Sequence, residues 1–231
     1  MPLPNGYQNP DLVIYGGSFD PPHLGHEYCI KTCLDFFPET KILVVPANAP
    51  VSIAKALKPA TANFNKRLEM CRLAFENEHE LRVSVSSIEA EIDPPNFTLK
   101  TLKILKQKLP QARLCFLMGE DQWEKFSEWN EPLEILQLTS VFVVRREPGA
   151  SGLKEKIKSV CKDLGLEHVG QKHENVVTIP SCNTFVCYRD IKPILLASSD
   201  LRTSIADQGK ISRDEVSEEI KSYIFSHGLY H

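Results

Sequence analysis

Strands that alternate with helices predict an α/β fold for this chain, a Rossmann-like parallel sheet with helices on both faces. Two observations carry that expectation. The runs Ile42-Leu43-Val44-Val45-Pro46, Leu114-Cys115-Phe116-Leu117-Met118 and Val141-Phe142-Val143-Val144 are short and continuously apolar, as strands covered on both faces are. Between them lie segments with apolar residues at helical spacing, such as Leu99, Leu102, Ile104 and Leu105.

The first strand is Leu12-Val13-Ile14-Tyr15, broken by Gly16-Gly17; Asp20-Pro21-Pro22 then resets the backbone, and a helix is expected over 23–36. Pro46 ends the second strand. Residues 51–65 have weak periodicity and read as a loop, whereas 67–77 read as a helix through Leu68, Cys71, Leu73, Ala74 and Phe75. Alternation at Val83 and Val85 predicts a strand over 81–88, followed by a helix over 98–109. The strand at 114–118 stops at Gly119, and the strand at 141–144 stops at Arg145-Arg146. A helix over 153–164 and a strand over 176–179 follow. Residues 180–193 resist assignment, because Phe185-Val186-Cys187-Tyr188 looks extended while Arg189-Asp190 interrupts it. The last helix is expected to start at a capping box, Ser212 with Glu215, and to bury Val216, Ile220, Tyr223 and Ile224. Residues 1–231 are read as one domain, with a core over 12–205 and a C-terminal helical segment over 206–231.

With 231 residues, 42% hydrophobic and 25% charged, the chain has the composition of a globular protein. Its net charge of −3 argues against a general nucleic-acid binder, which needs clustered Lys and Arg, but is compatible with a small anionic ligand in a locally positive pocket. Seven cysteines, an odd number without repeated spacing, read as reduced thiols. No stretch approaches the length of a membrane span, and the first residues lack a basic start and apolar core, so no membrane partner and a cytoplasmic location are expected. Assembly into a homo-oligomer stays open.

The most informative stretch is Gly16-Gly17-Ser18-Phe19-Asp20-Pro21-Pro22-His23-Leu24-Gly25-His26, which follows a strand and opens a helix. Glycines let backbone approach a ligand, and the N–H groups and dipole of a first helical turn attract an anion. His23 and His26 share one helix face, so both rings can serve the same polyphosphate. Taken singly, the glycines read as a tight turn and each histidine as polar surface; the whole string reads as a phosphate loop. Cys29 and Cys33 continue that face, but about 15 Å of helix rise separates His23 from Cys33, too far for all four to ligate one zinc. The two cysteines read as small core residues, and no metal site is expected.

The string from 16 to 26 resembles the signature of the nucleotidylyltransferases with an H-x-G-H motif, in the form closest to nicotinate mononucleotide adenylyltransferases. Leu196-Ala197-Ser198-Ser199-Asp200-Leu201-Arg202 is similar to that family's second signature, I-S-S-T-x-x-R, which begins a late helix; His227-Gly228-Leu229-Tyr230 resembles its usual ending. Glu89 with Phe97-Thr98 resembles its E…Y-T element, Gly119-Glu120-Asp121 its G-x-D turn, and Trp129 its pyridine-facing tryptophan. Ala197 stands in place of Ser, Ser199 of Thr and Phe97 of Tyr, and Val51-Ser52-Ile53 follows Pro50 where Pro-His-Lys is usual; Lys55 and Lys58 are candidate replacements for that charge.

The resemblance implies adenylyl transfer from ATP, with its magnesium, to nicotinate mononucleotide. It implies that His23, His26 and Arg202 act on the phosphates and that Gly16, Gly17, Ser18, Phe19, Gly25, Gly119, Asp121, Ser198 and Ser199 bind ATP. Phe97, Thr98, Trp129 and Arg145 are the implied mononucleotide contacts, and one of Trp123 and Trp129 is expected to plug the core. A related transferase acting on nicotinamide mononucleotide or phosphopantetheine, and a silent nucleotide-binding protein, are the alternatives.

Overall fold

Among the described residues, seven strands, β1 (Leu12–Gly17), β2 (Lys41–Pro46), β3 (Val83–Val85), β4 (Leu114–Gly119), β5 (Thr139–Arg145), β6 (Val176–Ile179) and β7 (Thr184–Asp190), form one sheet in the order β3-β2-β1-β4-β5-β7-β6. The structure, a computed structural model, describes residues 3–4, 6–49, 61–76, 81–145, 152–167, 175–190, 196–212 and 214–231. The elements run β1 (Leu12–Gly17), α1 (Leu24–Phe36), β2 (Lys41–Pro46), α2 (Phe64–Phe75), β3 (Val83–Val85), α3 (Thr98–Lys108), β4 (Leu114–Gly119), α4 (Glu120–Trp123), α5 (Pro132–Leu138), β5 (Thr139–Arg145), α6 (Leu153–Asp163), β6 (Val176–Ile179), β7 (Thr184–Asp190), α7 (Ser198–Gln208) and α8 (Glu218–Ser226).

The neighbours pair in parallel, except that β6 runs antiparallel to β7 at one edge. β1 lies between β2 and β4, with Ile14 opposite Leu43 and Phe116. The strand order reverses there, so the carboxyl ends of β1 and β4 diverge and open a crevice.

The alternation of the strands divides the core. On one face Ile14, Phe116, Val141, Val143 and Val186 pack with Leu99, Leu102 and Leu105 of α3 and Ile157 of α6. On the other, Val13, Tyr15, Val44, Leu117 and Phe142 pack with Ile30, Cys33 and Leu34 of α1. Cover on both faces is the reason the strands read as unbroken apolar runs. Cys29 and Cys33 lie in that second core as expected, and all seven cysteines are free thiols. Burial pushes the thiols of Cys33, Cys71 and Cys187 well up, which makes them inert. A third cluster joins Met70 of α2 to Leu201, Ile205, Ile220, Ile224 and Tyr230.

Three expectations are corrected, and one segment left open is assigned. The third strand spans only Val83–Val85, because Leu81 sits at φ 25° and is 97% exposed, while Ile88 already begins a 3-10 turn. Glu215 does accept from the Ser212 N–H at 2.6 Å, but it closes a turn; α8 starts later, capped by Ser217, whose hydroxyl accepts from the Ile220 N–H. Within 180–193, Thr184–Asp190 is a strand buried against β5, and its exposed end carries Arg189 and Asp190. In the expected loop, Phe64 and Asn65 belong to α2, capped by Asn63, and residues 51–60, with Lys55 and Lys58, lie outside the described residues.

α7 begins at Ala197, whose backbone is extended (φ −122°, ψ 138°) and whose methyl group offers no acceptor to the first turn. Ala197→Ser should therefore stabilise the chain by about 1 kcal/mol, raising Tm by about 2–4 °C. Calorimetry on the two proteins checks this; an unchanged Tm would mean that the first-turn amides are already satisfied by other groups.

Candidate active site

β1 ends at Gly16 and Gly17, where a side chain would crowd a ring of the neighbouring strand and a ring of the following loop. A Cβ on Gly16 would lie 3.1 Å from Phe116 Cζ, and one on Gly17 would lie 3.0 Å from Phe19 Cζ. Phe19 is buried, and its ring meets those of Tyr15, Phe75 and His26 at centroid distances of 5.3, 5.8 and 5.0 Å. It backs the imidazole of His26.

His23 is the N-cap of α1 and is buried, with its ring 3.7 Å from that of His26. The His23 backbone N–H donates to Nδ1 of His26 at 3.1 Å. An accepting Nδ1 leaves the proton of a neutral imidazole on Nε2, so the backbone sets the tautomer and makes Nε2 a hydrogen-bond donor.

The loop between β1 and α1 is held from outside. Both oxygens of the buried Asp20 carboxylate accept hydrogen bonds: Oδ2 from the Thr61 N–H (2.7 Å), and Oδ1 from the Ala62 N–H (3.0 Å) and the Tyr230 hydroxyl (2.8 Å). Arg202 Nη1 donates to the Asp20 carbonyl at 2.7 Å, the Ser198 hydroxyl to the Pro21 carbonyl at 2.9 Å, and Arg67 Nη1 to the Ser18 carbonyl at 2.7 Å. Arg67 is only 1% exposed, and burial presses its pKa down while the charge of Asp20 acts against that. The start of α7 is thus docked on the first loop.

Above the diverging ends of β1 and β4 lies a cavity of about 550 Å³. Among the sequence-derived candidates it is lined by Gly16, Gly17, Ser18, Phe19, His26, Phe97, Thr98, Gly119, Asp121 and Trp129. His23, Gly25, Ser198, Ser199, Arg202 and Arg145 do not line it. Of these, His23, Ser198 and Arg202 border the loop, Gly25 is buried in α1, and Ser199 donates its hydroxyl to Asp200 Oδ1 at 3.2 Å. Arg145 is turned to the neighbouring strand, with Nε 2.6 Å from Asp190 Oδ1. Trp123 is fully buried and stacked on Phe126 at 5.0 Å, so it is the tryptophan that plugs the core, while Trp129 is half-buried at the cavity wall, edge-on to Phe116.

The comparisons with known proteins agree with this geometry. The model of the cytidylyltransferase-like family matches residues 14–203, from β1 into α7. The chain belongs to that family. A probable nicotinate-nucleotide adenylyltransferase of Acidithiobacillus ferrooxidans is 30% identical over 222 residues, 95% of each chain. Another, from Aquifex aeolicus, is 34% identical over 152 residues, covering 65% of this chain and 84% of its own. The Plasmodium falciparum nicotinic acid mononucleotide adenylyltransferase complexed with NaAD superposes with a TM-score of 0.70 over 96% of this chain and 98% of that one, at 19% identity, and so shares the fold.

In this cytidylyltransferase-like chain, sequence reasoning gave no role to Asp20, Arg67 or Tyr230. Asp20 stood inside the motif string, and a charged residue between Phe19 and Pro21 was the available signal; nothing local marks Arg67 or Tyr230 as its neighbours. Glu89 is likewise more than a motif letter. It is buried, its Oε2 accepts from the Asn48 N–H and its Oε1 from the Thr101 hydroxyl, both at 3.0 Å, and it lines the cavity beside Asn96. Asn96 Nδ2 donates to the Glu89 carbonyl at 2.9 Å. The Asp, Glu, Lys and Arg residues at the wall, among those described, are Glu89, Asp121, Lys125 and Glu128.

Burial raises the pKa of Glu89, with the two hydrogen bonds acting against it. The folded chain then holds this proton more tightly than the unfolded one, so the contribution of Glu89 to stability falls as pH rises from the ordinary value of 4.5 through the raised one. Glu89→Gln should remove that fall, so the Tm of the native chain should drop relative to the variant as pH is raised from about 4.5 to about 7. A Tm difference that is flat over this range would contradict the raised pKa.

Proposed function

We propose that this chain transfers the adenylyl group of ATP to nicotinate mononucleotide, forming deamido-NAD and pyrophosphate. One observation carries the reading: a single cavity at the reversal of strand order holds the glycine end of β1 and His26 together with Thr98 and Trp129. The names of the relatives support the choice of acceptor.

The 5′-phosphate of the mononucleotide is already a nucleophile at neutral pH. Its oxygen forms a bond to the α-phosphorus as the bond from that phosphorus to the bridging oxygen breaks, and pyrophosphate leaves with the electron pair. No side chain has to take a proton, so catalysis rests on alignment and on stabilising charge. His26 suits that task because its Nε2–H is fixed by the bond at Nδ1 and needs no reorganisation when charge moves. His23 and the guanidinium N–H groups of Arg202 beyond the one on the Asp20 carbonyl would be further donors to the departing pyrophosphate from the border of the loop, while Ser198, whose hydroxyl is engaged by the Pro21 carbonyl, and Ser199 would offer the backbone N–H groups at the start of α7. Gly16, Gly17, Ser18, Phe19, Gly25, Gly119 and Asp121 shape the ATP site. Trp129 offers its ring to the pyridine, with Phe97 and Thr98 at the start of α3 for the carboxylate. Arg145 is a contact only if it exchanges Asp190 for a substrate phosphate.

Magnesium enters as part of the ATP substrate. Both oxygens of Asp20 are engaged by amides and by Tyr230, and phosphates and water would supply most of the ion's ligands. A magnesium ion bound that way would neutralise phosphate charge beside a wall in which the carboxylates of Glu89, Asp121 and Glu128 outnumber Lys125. Among the described residues no helix is long and apolar enough to cross a membrane, which is compatible with work in the cytoplasm.

Pyrophosphate release from ATP with nicotinate mononucleotide, nicotinamide mononucleotide or phosphopantetheine tests the proposal. The first acceptor should give the highest kcat/KM; preference for another changes the acceptor, and nucleotide binding without release makes the chain a silent binder. His26→Ala should leave a folded chain with kcat lowered at least about a hundredfold, the scale of losing one aimed donor. Turnover near the native level in that variant would remove His26 from the mechanism.

A further inference from the structure

We propose that Tyr230 is a positioning residue for the phosphate loop, so that turnover depends on a hydroxyl at the far end of the chain. The inference rests on the adenylyl-transfer reading above. Tyr230 is 8% exposed, and its hydroxyl donates to Asp20 Oδ1 at 2.8 Å across 210 residues of sequence. The same carboxylate takes the Thr61 and Ala62 amides, and the Asp20 carbonyl takes Arg202. Asp20 lies three residues before His23, whose N–H in turn sets the tautomer of His26. A second tie leads from the same region, because the Leu24 N–H at the start of α1 donates to the Glu215 carbonyl at 2.9 Å.

Two features show that the contact is built rather than incidental. Tyr230 has φ 68°, a left-handed conformation that a bulky side chain adopts only where its surroundings over-determine it. The surroundings here are the cluster of Leu201, Ile205, Ile220 and Ile224, which packs α7 and α8 together under the loop. Burial and the nearby Asp20 charge push the phenol pKa up, so the hydroxyl stays a donor throughout the working pH range. The ring fills the cluster, and the hydroxyl alone reaches the loop.

Tyr230→Phe separates these two roles, because it keeps the ring and deletes the donor to a charged acceptor. In the full chain, with ATP and nicotinate mononucleotide, kcat should fall about tenfold or more, while KM for ATP changes less than about twofold. Tyr223→Phe, the same chemical change on α8 with no bond to the loop, should keep native turnover. A kcat for Tyr230→Phe within about twofold of native, even with a lowered Tm, would overturn the positioning role, since it would leave Tyr230 a packing residue. A variant that does not fold would overturn it as well, by making the contact a requirement of folding. An inactive native chain sinks the adenylyl-transfer reading itself, whereas an active native chain with an unaffected variant sinks only this inference.

Discussion

The structure around the site depends on one buried carboxylate. Asp20 is 4% exposed, and a charge so placed is tolerable only if its lone pairs are met. They are met by groups from the start of α2 and from the C-terminal end, with Arg67 and Arg202 bracketing the same loop. Each hydrogen bond to a charged group contributes about 1.5–3 kcal/mol, so the set favours one loop conformation over the many open to a stretch rich in glycine and proline. The loop that places His23 and His26 is held by segments far away in sequence.

The sheet decides where that loop stands. Its reversal of order at β1 and β4 parts the following loops, and the space between them becomes the cavity. α1 takes its start from one strand end and α4 from the other, which brings His26 and Asp121 to one wall although most of a hundred residues separate them. α7 returns from the far side of the sheet to dock on the same loop through Ser198 and Arg202. On the proposed function, a chain whose net charge is negative can still hold an anionic ligand, because only the local arrangement of donors matters at such short range.

The substitutions relative to the family pattern gain meaning from this arrangement. Ala197 removes a helix cap, yet Ser198, one residue later, keeps its bond to the Pro21 carbonyl and so keeps the docking of α7. Phe97 removes a hydroxyl at the N-cap of α3, where the backbone rather than the side chain faces the helix start.

The sequence by itself determined the strands β1, β2, β4 and β5, the helices α1, α3 and α6, and the two strings that resemble the family signatures, because each is written in local periodicity or in a contiguous string. It overreached at 81–88, where alternation continued past the end of pairing, and at Ser212, where a capping-box spacing closed only a turn. It left β7 undecided, since Arg189 and Asp190 look alien to a strand until the end of β7 is seen to be exposed. Only the tertiary structure decided that Trp123 fills the core while Trp129 reaches the cavity, that Arg145 turns to Asp190, and that Asp20 meets Tyr230. Periodicity reports how much of its own element a residue buries, whereas these contacts depend on where a second, distant element comes to rest, and that is fixed by the packing of the whole sheet.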